Sequence, residues 1–188
     1  MEKNFTGYFF SGGKMDFEKK NVTTLAILVN NRSGVLMRVV ALFSRRGYNI
    51  DSLSVGETEN PEISRITIVI TGDVNIVEQI KHQVGKLIDV INVFEMTRFG
   101  SIQRELVLVK LSSSEETRNQ IVGLGDIFKA KVVDVTPSTI SLELTGSLDK
   151  IESFLVLARP YGIVELVRTG ITALERGERA LSQATEID

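Results

Sequence analysis

Apolar positions along the chain switch between a period of two and a period near 3.6, and the order of the switches occurs twice. Residues 22–29 are rich in β-branched and apolar side chains and predict a strand. Asn30-Asn31-Arg32-Ser33-Gly34 then reads as a turn, with Ser33 placed to cap a helix. Leu36, Val39, Val40 and Phe43 follow at helical spacing. Arg45 and Arg46 suit the negative end of that helix, and Gly47 supplies its left-handed stop. Residues 50–55 predict a second strand, the segment 57–62 with Asn60-Pro61 a hairpin loop, and Ile66, Ile68 and Ile70 a third strand. Val77, Ile80, Val84 and Leu87 mark a second helix, and residues 90–96 a fourth strand.

The second pass has the same order. Residues 106–111 predict a strand, and Ile121, Leu124 and Phe128 one helix face. Residues 132–135 and then Ile140, Leu142 and Leu144 predict two strands with Pro137 between them. Ile151, Phe154, Leu155 and Ala158 mark a helix ended by Pro160 and Gly162, and residues 163–167 the last strand. Thr71-Gly72 and Thr145-Gly146 echo each other at the ends of the two third strands. The expected fold is α+β: two tandem ferredoxin-like βαββαβ domains, each a four-stranded antiparallel sheet with both helices on one face. The expected divisions are a flexible tail over residues 1–20, a first domain over 22–97, a linker over 98–103, a second domain over 104–170 and a tail over 171–188. Strand residues 25–29 are apolar on both faces, which favours association of domain on domain or chain on chain, and a homodimer at least.

Composition narrows the chemistry. The chain of 188 residues is 43% hydrophobic, enough for one sizeable core or two small ones. A formal net charge of -2 with well-mixed signs argues against a nucleic-acid partner, which calls for a basic stripe. There is no cysteine, so thiolate nucleophiles, disulfides and Cys-based zinc sites are excluded. The single histidine, His82, falls on the polar side of the second helix and reads as a solvated surface residue. No apolar run reaches membrane-span length, and a soluble, reducing, cytoplasmic setting is expected. An enzyme acting alone finds no glycine-rich phosphate loop and no convergent carboxylate pair here. An RNA-binding module of the same plan needs stacking aromatics, where the third strand offers Ile66, Thr67, Ile68 and Val69.

One stretch has the chemistry to hold a ligand. At Asn31-x-x-Gly34 a helix start offers unpaired N–H groups to an anion such as a carboxylate, and Gly34 leaves room for close approach. The Asn31 carboxamide can accept from an ammonium group, and Asn49, eighteen residues on, can face the same edge. Val35, Leu36 and Ile50 add a small apolar wall. The set matches a free amino acid with a short branched side chain. On spacing alone, an ordinary capped turn accounts better for so weak a pattern. The equivalent junction in the second half, Ser112-Ser113-Ser114-Glu115, has neither Gly nor Asn, and Glu115 and Glu116 would repel a carboxylate.

Longer stretches sharpen the picture. Asn31-Arg32-Ser33-Gly34-Val35-Leu36, then residues 42–53 (LFSRRGYNIDSL), closely resemble the ACT domain of the acetolactate synthase (acetohydroxyacid synthase) regulatory small subunit. Ser64-Arg65, Gln79-Ile80, Asp89-Val90, Arg104-Glu105-Leu106 and Asp134-Val135-Thr136-Pro137-Ser138 are similar to that family as well. The resemblance implies a regulator, not catalytic alone, that activates a separate catalytic large subunit in branched-chain amino acid biosynthesis and imposes feedback inhibition by valine. It implies valine bound between two ACT domains, with Asn31, Ser33, Gly34 and Asn49 around its polar atoms and Val35, Leu36 and Ile50 lining the pocket. Thiamine diphosphate, FAD and magnesium are implied for the catalytic partner, and no cofactor or metal for this chain. An amino-acid-responsive ACT regulator of a different enzyme is the alternative.

Overall fold

The computed structural model of the chain describes residues 22–178, 180 and 181, and the expectations for residues 1–20 and 182–188 lie outside them. The first strand, β1 (Val22–Asn30), runs between two neighbours in the sheet, and its apolar side chains are buried on both faces. It leads through a tight turn into α1 (Val35–Arg45). The edge strand β2 (Ser52–Glu57), β3 (Ile63–Thr71), α2 (Val74–Val84) and β4 (Val90–Glu95) complete the unit. Its sheet has the order β2-β3-β1-β4, antiparallel throughout, with Leu25 opposite Ile68 and Leu53 opposite Ile68 on the other side. Leu25, Ile27, Val29, Ile66, Ile68, Ile70 and Val93 face the helices and close on Val39, Phe43, Val77 and Ile80.

The plan is repeated by β5 (Ser101–Ser112), α3 (Glu115–Phe128), β6 (Lys131–Val135), β7 (Thr139–Gly146), α4 (Leu148–Ala158) and β8 (Ile163–Arg168), in sheet order β6-β7-β5-β8. Its own core joins Val107, Val109, Leu111, Ile140, Leu142 and Leu144 to Ile121, Ile151 and Phe154. The tandem ferredoxin-like reading is therefore correct.

Two local expectations change. Ser33 is not the cap of α1: Gly34 takes that position at φ +83°, in the left-handed region open to glycine, and no side chain caps the helix. Backbone bonds close the turn instead, from Arg32 N to Asn30 O (2.9 Å) and from Val35 N to Arg32 O (3.3 Å). Second, Ser101–Gln103, expected within the linker, are the first residues of β5. They pair with a further strand, β9 (Thr172–Glu175), drawn from the expected C-terminal tail. The polar Ser-Ile-Gln-Arg run looks like a linker because its pairing partner stands seventy residues away.

Of the two associations expected for the two-sided β1, domain on domain or chain on chain, the described residues show the first: its second apolar face is covered by this chain itself. Ala26, Leu28 and Met96 form a small core with Ala173 and Leu181, flanked by Ile63 and Phe94. The stretch after β8 thus crosses the helix-free face of the first sheet and ties the two units together.

Candidate functional site

The β1–α1 turn is held against the β2–β3 hairpin. Asn31 N donates to Glu62 O (2.7 Å), and its Nδ2 donates to Pro61 O (2.8 Å) and to Glu57 Oε1 (3.1 Å). With both amide hydrogens used, the Asn31 carboxamide oxygen is left as the acceptor toward a ligand. The N–H groups of Leu36 and Met37 have no acceptor within α1, because the residues four before them precede the helix. A carboxylate placed beside Gly34 would meet these donors at the positive end of the helix dipole.

Two side chains not expected at this corner belong to it, Arg38 and Asp89. Arg38 stands one turn up α1 and folds back, so that its Nη1 lies 3.5 Å from where a side chain on Gly34 would begin. It is held there by an ion pair with the buried Asp89 carboxylate, just before β4. The i+4 spacing from Gly34 is a signal that finds Arg38. Asp89 carries none, because its partner is 51 residues away.

The other named residues divide between two places. Asn31, Ser33, Gly34, Val35 and Leu36 gather at the end of the sheet where β2 finishes. Val35, 3% exposed, is spent on the core, while Leu36 and Ile50 are half-buried against it. Asn49 and Ile50 lie at the far end of α1, about 16 Å away for eleven helical residues. There Asn49 Nδ2 donates to Asp51 Oδ1 (2.9 Å), and Asp51 is fixed by its N–H to Val69 O (2.9 Å) and by the Thr71 hydroxyl (2.7 Å). Asn31 and Asn49 therefore share the β2 edge but stand at its opposite ends, separated by the length of the helix between them.

The second unit has no such corner. Ser114 caps α3 in a reciprocal capping box with Thr117, and Glu115 and Glu116 occupy the first turn. His82 is exposed on α2, as expected of a solvated histidine. Among the described residues no cluster of His, Asp or Glu is arranged to hold a metal ion, and no helix is long and apolar enough to cross a membrane.

The two units also match known families separately. Residues 25–92 match the AHAS small subunit-like ACT domain, and residues 104–177 match the small subunit of acetolactate synthase. A protein of Archaeoglobus fulgidus named "Probable acetolactate synthase small subunit" is 49% identical over 83% of this chain and 98% of its own length. The acetolactate synthase small subunit of Mycolicibacterium smegmatis is 44% identical over 86% of this chain and 95% of its own. The crystal structure of the acetolactate synthase small subunit from Thermotoga maritima superposes with a TM-score of 0.77 at 36% identity, covering 84% of this chain and 99% of that one. A repeated βαββαβ plan, a glycine-opened turn and relatives matched over nearly their whole length agree: this chain belongs to the acetolactate synthase small subunit family.

Proposed function

We propose that this chain is the regulatory partner of an acetolactate synthase catalytic large subunit, activating it and making it subject to feedback inhibition by valine bound between two ACT domains of a homodimer. The observation that carries the reading is the way β2 ends its sheet. The outer edge of β2 pairs with no strand among the described residues, and the two halves of the candidate site stand at its two ends. A second copy pairing antiparallel across that edge brings the Ser52 end of one chain to the Glu57 end of the other. Asn49 and Ile50 of one protomer then come up to Asn31 and Gly34 of its partner. Two half-sites too far apart within one chain become two whole sites in a two-fold dimer.

Each atom of a free amino acid has a counterpart there. The N–H groups at the start of α1 and the Arg38 guanidinium suit the carboxylate. The carboxamide oxygens of Asn31 and of the partner-chain Asn49 suit the ammonium group. Leu36 and Ile50 offer a wall the size of a short branched side chain, and Val35 contributes through its backbone. Ser33 lies in the turn that frames the carboxylate. Binding that changes how the two domains pack can then bias the catalytic subunit. Thiamine diphosphate, FAD and magnesium belong, in this reading, to that subunit.

The test is reconstitution. Acetolactate formation by the catalytic subunit is followed while this chain is added, with and without valine, and again with Gly34→Asp. The variant sets a carboxylate where the effector's carboxylate docks. It is expected to activate as the parent does and to lose valine inhibition. Loss of activation and inhibition together would count against a separate effector site. Activation of some other enzyme alone would favour a differently partnered ACT regulator.

A further inference from the structure

Beyond the effector corner, one set of contacts ties the effector edge to the second unit, and it passes through the open face of β2. Ser52 and Ser54 point to the side of the sheet without helices, while Leu53 between them packs into the core. Ser52 Oγ accepts from Ile171 N at 3.1 Å, and Ser54 Oγ donates to Ile171 O, also at 3.1 Å. Two hydroxyls on alternate residues thus clamp a single residue of the crossing segment, much as a neighbouring strand would. Gly170 lets the segment lie this close. Its φ is +77°, and a Cβ there would stand 2.8 Å from Ser52 Oγ and 3.3 Å from Ser52 Cβ.

The other end of the segment is anchored in the second unit. Thr169 N donates to Leu106 O (3.1 Å), and Thr169 Oγ1 accepts from Leu106 N (3.1 Å). Arg168 donates to both oxygens of the buried Glu105 from Nε (2.9 Å) and Nη2 (2.7 Å), and to Glu152 on α4 from Nη1 (2.7 Å). Hydrogen bonds at both ends of the short backbone segment 168–171 therefore link α4 and β5 to the strand whose ends carry the two half-sites. Ile171 itself is buried, so water does not compete freely for its peptide groups.

We infer that Ser52, Ser54 and the Gly170–Ile171 peptide form a latch through which the second unit sets the position of β2, making both serines positioning residues for the effector response. The inference rests on the effector reading above, but the latch also has a signature of its own. If it holds β2, releasing it loosens the edge strand whether or not any effector binds. The serine hydroxyls bond to Ile171 and not to Asn31, Gly34 or Asn49, so the latch reaches the half-sites only through the position of β2.

The test uses the full-length chain, alone and with its catalytic subunit, as parent, Ser52→Ala/Ser54→Ala, Ser52→Thr/Ser54→Thr and Gly170→Ala. Hydrogen exchange on the effector-free chain is read first. The double alanine variant and Gly170→Ala are expected to speed exchange across β2 at least ten-fold relative to parent, with α1 and α3 unchanged. The double threonine variant, which keeps both hydroxyls, is expected to restore slow exchange. In the complex, the double alanine variant is expected to activate normally and to need at least five-fold more valine for half-inhibition, with the double threonine variant returning toward parent. Unchanged exchange in β2 would overturn the latch, even if the parent chain ignores every branched-chain amino acid and the effector reading itself has failed. Faster exchange with an unchanged inhibition curve would overturn its regulatory role. Loss of activation, inhibition and folded structure together would reduce the serines to plain structural residues.

Discussion

Glu105 shows how much a single side chain can be asked to do in this molecule. It is 3% exposed on β5, and its charge is tolerated because Arg168 meets both oxygens and is itself shared with Glu152. Those hydrogen bonds, Glu105 first, hold the Arg168 guanidinium firmly protonated, above the usual arginine value. Glu105→Ala leaves the partly exposed Arg168 guanidinium with one carboxylate, Glu152, where it had two. It is expected to cost about 2–3 kcal/mol and to lower the thermal midpoint by about 5–10 °C, read by circular dichroism. Glu105→Gln, which keeps the shape and one acceptor, should cost less. Because the same cluster anchors the segment after β8, the loss is expected to show first as faster exchange around residues 169–175.

At the scale of elements, the two helix starts that follow the first strands differ in what they leave open. Ser114 closes α3 with a reciprocal side-chain cap, whereas Gly34 opens α1 with none. Ser114→Ala is accordingly expected to cost about 1 kcal/mol and Ser33→Ala to stay within about 0.5 kcal/mol, compared by denaturant unfolding. The sequence alone shows α1 and its turn clearly, because apolar spacing and a Gly are local signals. It misplaces the cap by one residue, since Ser33 has the right chemistry and Gly34 the required φ. It also misses β9, whose four residues gain their strand character from Ser101–Arg104 and from the apolar face they cover. Arg38 is legible by helical spacing, but the Asp89 that holds it is not. Pairings across fifty or more residues leave no local pattern, and most of what was unreadable is of that kind.

For the whole molecule, the apolar second face of β1 looks in sequence like an invitation to another domain or chain. The segment from Ile171 to Leu181 answers it within the same chain. What is left beside the candidate corner, among the described residues, is the unpaired edge of β2, and the candidate residues stand at its two ends. That division makes the assembly itself testable. In the proposed dimer each whole site takes Asn31 and Gly34 from one chain and Asn49 from the other, so Gly34→Asp and Asn49→Ala should each abolish valine binding in their own homodimers. In a mixed dimer both defects fall in one site, and the other site is wholly intact.

The most direct measurement is therefore calorimetric titration of valine into parent, into each variant, and into an equimolar mixture of the two variants unfolded and refolded together. A site built between two chains gives binding to parent, none to either variant alone, and recovery in the mixture of about a quarter of the parental sites, since half the dimers are mixed and each has one good site of two. A mixture as silent as its components, or full binding by either variant alone, would contradict an effector site built between two chains.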